Sequence, residues 1–462
     1  MSLYTLPLNR AIERRLCRDH YAAHEPSRLR PDGSVEEQLC KIDAVQKTLG
    51  SMLGAMETMW IVGDFVMTLP LGFVAQRRGR RVVLLLNLVS RAFMLSWAVL
   101  VGWFDGFLPV NAIIAGPVLS FLGGDCVFNS LTYALVSDLT EDPVQRAISF
   151  GYMSSVSYVV ALLGPAMASA TMSLVLWLPF VLGLCLLCAA VPVVAVLPDG
   201  RQRVAGGGDE AEEEGQRQHL LSSPVLKAQD ARRGDSVLQA VAEHGRELWA
   251  IVASHPRNFS LLLFSFFLTS LASSDTKMLP QYISVKFRWT FASTGYLLSG
   301  KAVVNFVLLT VVIPRLLLRR RAAATNTPED AGRFNMQSAK ACLVVSIIGA
   351  LGIAVAGAMW MLVPALLVYA LGSALPIFTL SLLKSPAISP PRAEEASSSA
   401  ESHIFSIVML CKTVGSLLGA PLMATLWVGG IGIGGLALGM PYFVSATCYL
   451  AAIGVFTGIK LD

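Results

Sequence analysis

Residues 72–81 read Gly-Phe-Val-Ala-Gln-Arg-Arg-Gly-Arg-Arg, with an apolar run of membrane length on either side. Four arginines in so short a loop stay on the cytoplasmic face of a bilayer, because basic loops resist translocation. The loop therefore sets the parity of every other span. A helix needs about 20 apolar residues to cross the hydrocarbon core. Such runs lie near 50–75, 82–104, 108–137, 147–170, 173–197, 258–282, 291–314, 339–359, 361–384, 403–427 and 438–459. Backbone groups in lipid must be satisfied within the segment, so helices are expected, and the period-two alternation of a membrane barrel is absent from these runs. Only 15% of the 462 residues are charged, against about 25% in a soluble domain. The chain thus reads as an all-α polytopic membrane protein, with about eleven transmembrane helices in two bundles.

The loops agree with that count. Alternate ones are basic: residues 76–81, then 198–257 with eight Lys or Arg, then 315–338 with Arg315, Arg319, Arg320, Arg321 and Arg333, then 385–402 with Arg392. The opposite set is nearly bare, apart from Asp105, Lys286 and Arg288. This is the positive-inside pattern, and it puts the C-terminus in the cytoplasm. The chain divides into a polar arm (1–48), a first bundle (49–197), a central cytoplasmic loop (198–257) and a six-span second bundle (258–462). The central loop begins with low-complexity residues 206–215, Gly-Gly-Gly-Asp-Glu-Ala-Glu-Glu-Glu-Gly, a composition that resists packing. Further on, Leu238, Val241, Gly245, Leu248 and Val252 recur at steps of three and four, predicting an amphipathic helix at the membrane face.

Parity places the arm outside. It carries eight Lys or Arg and seven Asp or Glu, with no apolar core that could act as a signal peptide. A first span lacking from the front of the chain, or export by the 50–75 span alone, would account for that. Cys17 and Cys40 lie in this arm and can pair if it faces an oxidising compartment. The other six cysteines sit in apolar stretches and read as small hydrophobes.

The loop at 72–81 resembles a signature of the major facilitator superfamily, with Gly72, Arg77, Gly79, Arg80 and Arg81 matching and Gln76 standing where the family usually has Asp. Leu163-Gly164-Pro165-Ala166 resembles the fifth-helix motif of the family's drug–proton antiporters, a helix-packing element. The arm, with Pro7-Leu-Asn-Arg, Leu16-Cys17-Arg and Cys40-Lys41, is similar to the first extracellular loop of filamentous-fungal members. The resemblance implies that the eleven spans are the family's helices two to twelve. A weak echo between Asp64-Phe-Val-Met and Asn305-Phe-Val-Leu suits two repeated halves.

Charges at membrane depth cost roughly 2.5–3.5 kcal/mol on insertion scales and mark function by default. Asp64, Arg91, Asp125, Lys301 and Lys412 are therefore candidates for a substrate or proton pathway. Asp64 could carry a proton, or be a structural partner of Arg91 or Lys301. Lys301 and Lys412 suit an anionic substrate or a paired carboxylate. Glu57, Asp275 and Lys277 lie toward the outer ends of their spans, where a wetted mouth is expected. There is no catalytic motif, P-loop or metal cluster, so neither an enzyme nor ATP-driven transport is expected, and no cofactor. The expected partners are a small-molecule substrate and the lipid bilayer, with no nucleic acid, and the expected state is a monomer in the plasma membrane. The resemblance implies secondary transport by alternating access, with efflux of a metabolite or toxic compound, as in a proton antiporter. An uptake symporter and a transport-inactive, sensor-like or truncated relative are the alternatives.

Overall fold

The computed structural model describes residues 3–31, 34–104, 107–139, 143–197, 257–313, 315, 328–382 and 397–459. The central loop at 198–257, with its expected amphipathic helix, lies outside the described residues but for its last position. All regular structure among the described residues is helical. The arm forms α1 (Thr5–His24). The first half follows with α2 (Asp43–Arg78), α3 (Arg80–Trp103), a 3₁₀ segment (Val110–Leu122), α4 (Asp125–Leu139), α5 (Pro143–Leu174) and α6 (Leu178–Val196). The second half has α7 (Arg257–Ser273), a 3₁₀ turn (Ser274–Lys277), α8 (Leu279–Lys286), α9 (Phe291–Val307), α10 (Pro328–Val355), α11 (Met359–Leu371), α12 (Leu375–Leu382), α13 (Ser397–Ile433) and α14 (Met440–Thr457). Among the described residues, nine helical stretches are long and apolar enough to cross a membrane. Over most of its described residues, each apolar run of the sequence is helical. The run at 108–137 is corrected in one respect: it is interrupted at Gly123-Gly124.

The arginine loop is a near-immediate turn between two long helices. Gly79 alone separates α2 from α3, with φ +98°, a backbone conformation that side-chain-bearing residues avoid. Its N–H returns to the Ala75 carbonyl and closes the last turn of α2. Arg81 reaches across to donate to the Leu197 carbonyl at the end of α6, which pins the start of α3 to the end of α6 at the arginine-loop face.

Lipid offers no hydrophobic drive for helices to meet, so contact rests on close packing and polar bonds. The two halves meet where α2 runs along α13 and α5 along α9. Gly50 lies against Trp427 and Gly54 against Ala424, which lets α2 approach α13 closely. The Gly164-Pro165 element sits on α5, where the Pro165 carbonyl and Ser169 face Gly295 of α9.

The arm is packed, not trailing. Cys17 and Cys40 form a disulfide with a Cα–Cα distance of 5.3 Å, inside a small core with Tyr21, Val35 and Val45. Glu13 is fully buried and accepts hydrogen bonds from Lys41 (2.6 Å), Gln46 (2.6 Å) and Arg10 (2.8 Å). Arg15 donates to the Val101 and Leu108 carbonyls at the end of α3. The arm also touches the second half: the Phe291 amide donates to Glu37 (2.8 Å), and Gln281 donates to the Gln46 carbonyl (3.0 Å). It thus bridges both halves on the side opposite the arginine loop.

Candidate functional site

A helix that begins at membrane depth leaves its first amides without partners, a cost that lipid does not relieve. The first turn of α4 meets this cost through a neighbouring helix. The Asp64 carboxylate, from α2, accepts the Cys126 amide at 3.0 and 3.2 Å, with the Val127 amide also within hydrogen-bonding reach. Asn87 of α3 donates to the Gly124 carbonyl at 2.7 Å. Gly124 packs so tightly on Asp64 that a Cβ there would overlap the carboxylate. The amide oxygen of Asn87 accepts the Arg91 Nε–H at 2.8 Å, and Arg91 Nη2 donates to Asp125 at 2.5 Å. One polar chain therefore runs from Asp64 through the helix break to the Arg91–Asp125 ion pair. Exposure separates its ends: Asp64 is 6% exposed, whereas the Asp125 side chain is 45% exposed.

A second ion pair crosses between the halves, Lys277 to Glu57 at 2.7 Å. Tyr4, at the head of the arm, lies within electrostatic reach of Glu57, Asp125 and Arg91. Burial, reinforced by the two carboxylates, pushes the Tyr4 phenol above its usual range, so it stays a neutral donor. In the second half, Asp275 is fully buried and accepts the Tyr369 hydroxyl at 2.9 and 3.1 Å, with the Tyr449 hydroxyl 3.1 Å from that of Tyr369. Lys301 stands 5.3 Å from the Tyr369 ring centre, and the Asp275 charge acts on it. Lys412 offers its carbonyl to the Ser270 hydroxyl (2.6 Å), and the next residue, Thr413, reaches the Cys126 thiol of the first half.

Several expectations change. Asp64 is not a partner of Arg91 or Lys301; it holds backbone amides, because the break beside it supplies donors closer than any side chain. Arg91 pairs instead with Asp125. Asp275 is not at a wetted mouth, since the two tyrosines and Ser445 close over it. Lys277 is exposed as expected, and Glu57 partly so. Gly72 and Arg77 lie in the last turns of α2, with the Arg77 side chain outside the described set. Asn87, Tyr369 and Tyr449 were not singled out. Asn87 was readable: it is a polar residue inside an apolar run, four positions before Arg91 and so on the same helix face. Among the described residues no group of three or more His, Cys, Asp or Glu could hold a metal ion.

The sequence profile of the Major Facilitator Superfamily matches residues 42–400. The MFS efflux pump atnC of Emericella nidulans is 25% identical over 468 residues, covering 100% of this chain and 85% of that protein. The MFS-type transporter aprT of Aspergillus flavus is also 25% identical, over 98% of this chain and 84% of its own. The crystal structure of the human organic anion transporter MFSD10 (TETRAN) shares the fold with a TM-score of 0.54 at 17% identity, covering 98% of this chain and 97% of that one. The profile spans most of the chain, and the helical fold is shared end to end. The chain therefore belongs to the Major Facilitator Superfamily, as a multi-pass integral membrane transporter and not an enzyme.

Proposed function

We propose that this secondary transporter exports a small organic molecule, a metabolite or toxic compound, and couples export to protons through the Arg91–Asp125 pair. The observation that carries the reading is the half-exposed Asp125 carboxylate at membrane depth, held by Arg91 and one residue before Cys126, whose thiol meets Thr413 of the opposite half. A carboxylate that can exchange a proton while paired to an arginine changes its bond to that arginine on protonation, which is what coupling needs. In the second half, Lys301 stands over the Tyr369 ring within reach of the Asp275 charge. The halves are joined by side chains on the arm side, through Glu57–Lys277, Gln46–Gln281 and Glu37–Phe291. That arrangement suits a transporter loading from the arginine-loop side. Export is further supported by the description of atnC as an efflux pump, and the plasma membrane is the membrane this reading assigns.

Metabolite profiling inside and outside cells, with and without the gene, tests the direction. Deletion is expected to leave at least one compound retained inside. Equal distributions for every compound would remove the efflux reading. Asp125→Asn is expected to abolish the dependence of export on an imposed proton gradient.

A further inference from the structure

The geometry points to Asp64 as a positioning residue: a fixed cap that holds the break in the third membrane span and aims Asp125 and Cys126 at the opposite half, while taking no part in proton exchange. The inference rests on the transport reading above for its role, but not for its geometry.

Four observations carry it. Both carboxylate oxygens of Asp64 are engaged with the Cys126 amide, and Asp64 is 6% exposed. Gly124 fills the space directly against it, leaving no room for water on that side. The next residue after the gap, Asp125, is by contrast 45% exposed and paired through a side chain. Finally, the backbone around the break is held from a second helix as well, by Asn87 on the Gly124 carbonyl, and Asn87 also steadies Arg91. Asp64 and Asn87 thus grip the two ends of one peptide stretch from α2 and α3. The exchangeable acid sits one residue beyond the grip.

A cap needs an acceptor oxygen; a proton carrier needs an ionisable group. Asparagine keeps the first and removes the second. The break also carries its own reporter, the Cys126 amide that Asp64 holds; the Cys126 thiol would not serve, because it too bonds to Asp64. Membranes bearing the full chain would be labelled with deuterium by amide exchange, and the uptake rate at the Cys126 amide read by peptide mass spectrometry. Asp64→Asn is expected to label at the wild-type rate. Asp64→Ala is expected to label about fivefold faster, the equivalent of losing one helix cap. Should the alanine variant fail to reach the membrane, Asp64→Ser replaces it, with a hydroxyl too short to span the gap.

In cells, Asp64→Asn is expected to keep the wild-type metabolite ratio and its pH dependence, both of which Asp64→Ala loses. Asn and Ala altered alike, or neither altered, overturns the cap. A wild type without any metabolite ratio overturns the transport reading instead, and the labelling contrast still decides the cap by itself.

Discussion

The two halves interrupt a membrane span at an aspartate in the same general way and reach opposite results. In the first half the span breaks at Gly123-Gly124, and the acid that follows, Asp125, looks into open space and pairs with Arg91. In the second half α7 tightens into a 3₁₀ turn at Ser274–Lys277, and the acid within it, Asp275, is turned inward onto Tyr369. The first half satisfies its broken backbone with a second carboxylate, Asp64, which frees Asp125 from capping. The second half has the hydroxyls of Tyr369 and Ser445 converging on its single acid, with Tyr449 behind Tyr369. A break capped from outside can expose its own acid; a break whose acid is enclosed cannot. On this comparison the proposed proton exchange falls, of these two acids, to Asp125, and Asp275 is placed to hold α7, α11 and α14 together.

The largest effect should come from closing the gap that makes the first break possible. Gly124→Ala puts a methyl into the Asp64 carboxylate, and overpacking of this kind costs typically about 1–3 kcal/mol. Here it also dislodges a buried acceptor, so the upper end, about 3 kcal/mol, is expected. Thermal unfolding of purified protein measures it, with Gly300→Ala as the control. Nothing lies within 4 Å of a Cβ at Gly300, and alanine is the better helix former there by about 1 kcal/mol. Equal losses at both glycines would break the comparison at its root.

That break was only partly legible in the sequence. Hydropathy located the spans well, because a lipid-crossing helix must be apolar along its length. It could not show that the run at 108–137 is two helical pieces, since Gly-Gly in an apolar stretch reads equally as a close-packing surface. Asp64 and Asp125 stood out as charges at depth, yet which helix faces which is set by packing between segments far apart in the chain. Asp275 shows the limit most clearly. Its position near the end of a span argued for water, but the Tyr369 that buries it lies 94 residues away. Periodicity reports the faces of one helix and carries no information on its neighbour. The disulfide differs, because Cys17 and Cys40 are the two cysteines of a polar arm 48 residues long and need no distant partner.

The enclosed acid of the second half gives an intermediate effect. Tyr369→Phe removes the hydroxyl that donates to Asp275 and leaves the ring under Lys301. Hydrogen bonds between helices in membranes average about 0.6 kcal/mol and reach about 1.7 kcal/mol. The upper end is expected, because Asp275 is fully buried and keeps few other donors. The measurement is again thermal unfolding. The pH dependence of export should stay as in the wild type. A shifted pH profile in Tyr369→Phe would mean that Asp275 exchanges protons after all, and the contrast between the halves would lose its functional meaning.

The smallest effect on stability belongs to the pair that joins the halves, Glu57–Lys277. The Lys277 side chain is 58% exposed and that of Glu57 26%, so water and salt screen their attraction. Exposed pairs are worth about 0–1 kcal/mol, and Glu57→Gln should shift unfolding by no more than that. Its kinetic effect should be larger than its effect on stability, because the pair must separate whenever the arm side opens, whereas unfolding draws on every contact in the bundle. The rate at which the arm side becomes accessible, followed by thiol labelling of a cysteine introduced at Ala424, which is buried against Gly54 across the halves, should rise in Glu57→Gln. Raising the ionic strength should produce the same rise in the wild type and none in the variant. An accessibility rate unchanged by either treatment would show that the arm side is held by the Glu37–Phe291 and Gln46–Gln281 bonds alone, and that the ion pair is a bystander of the closed state.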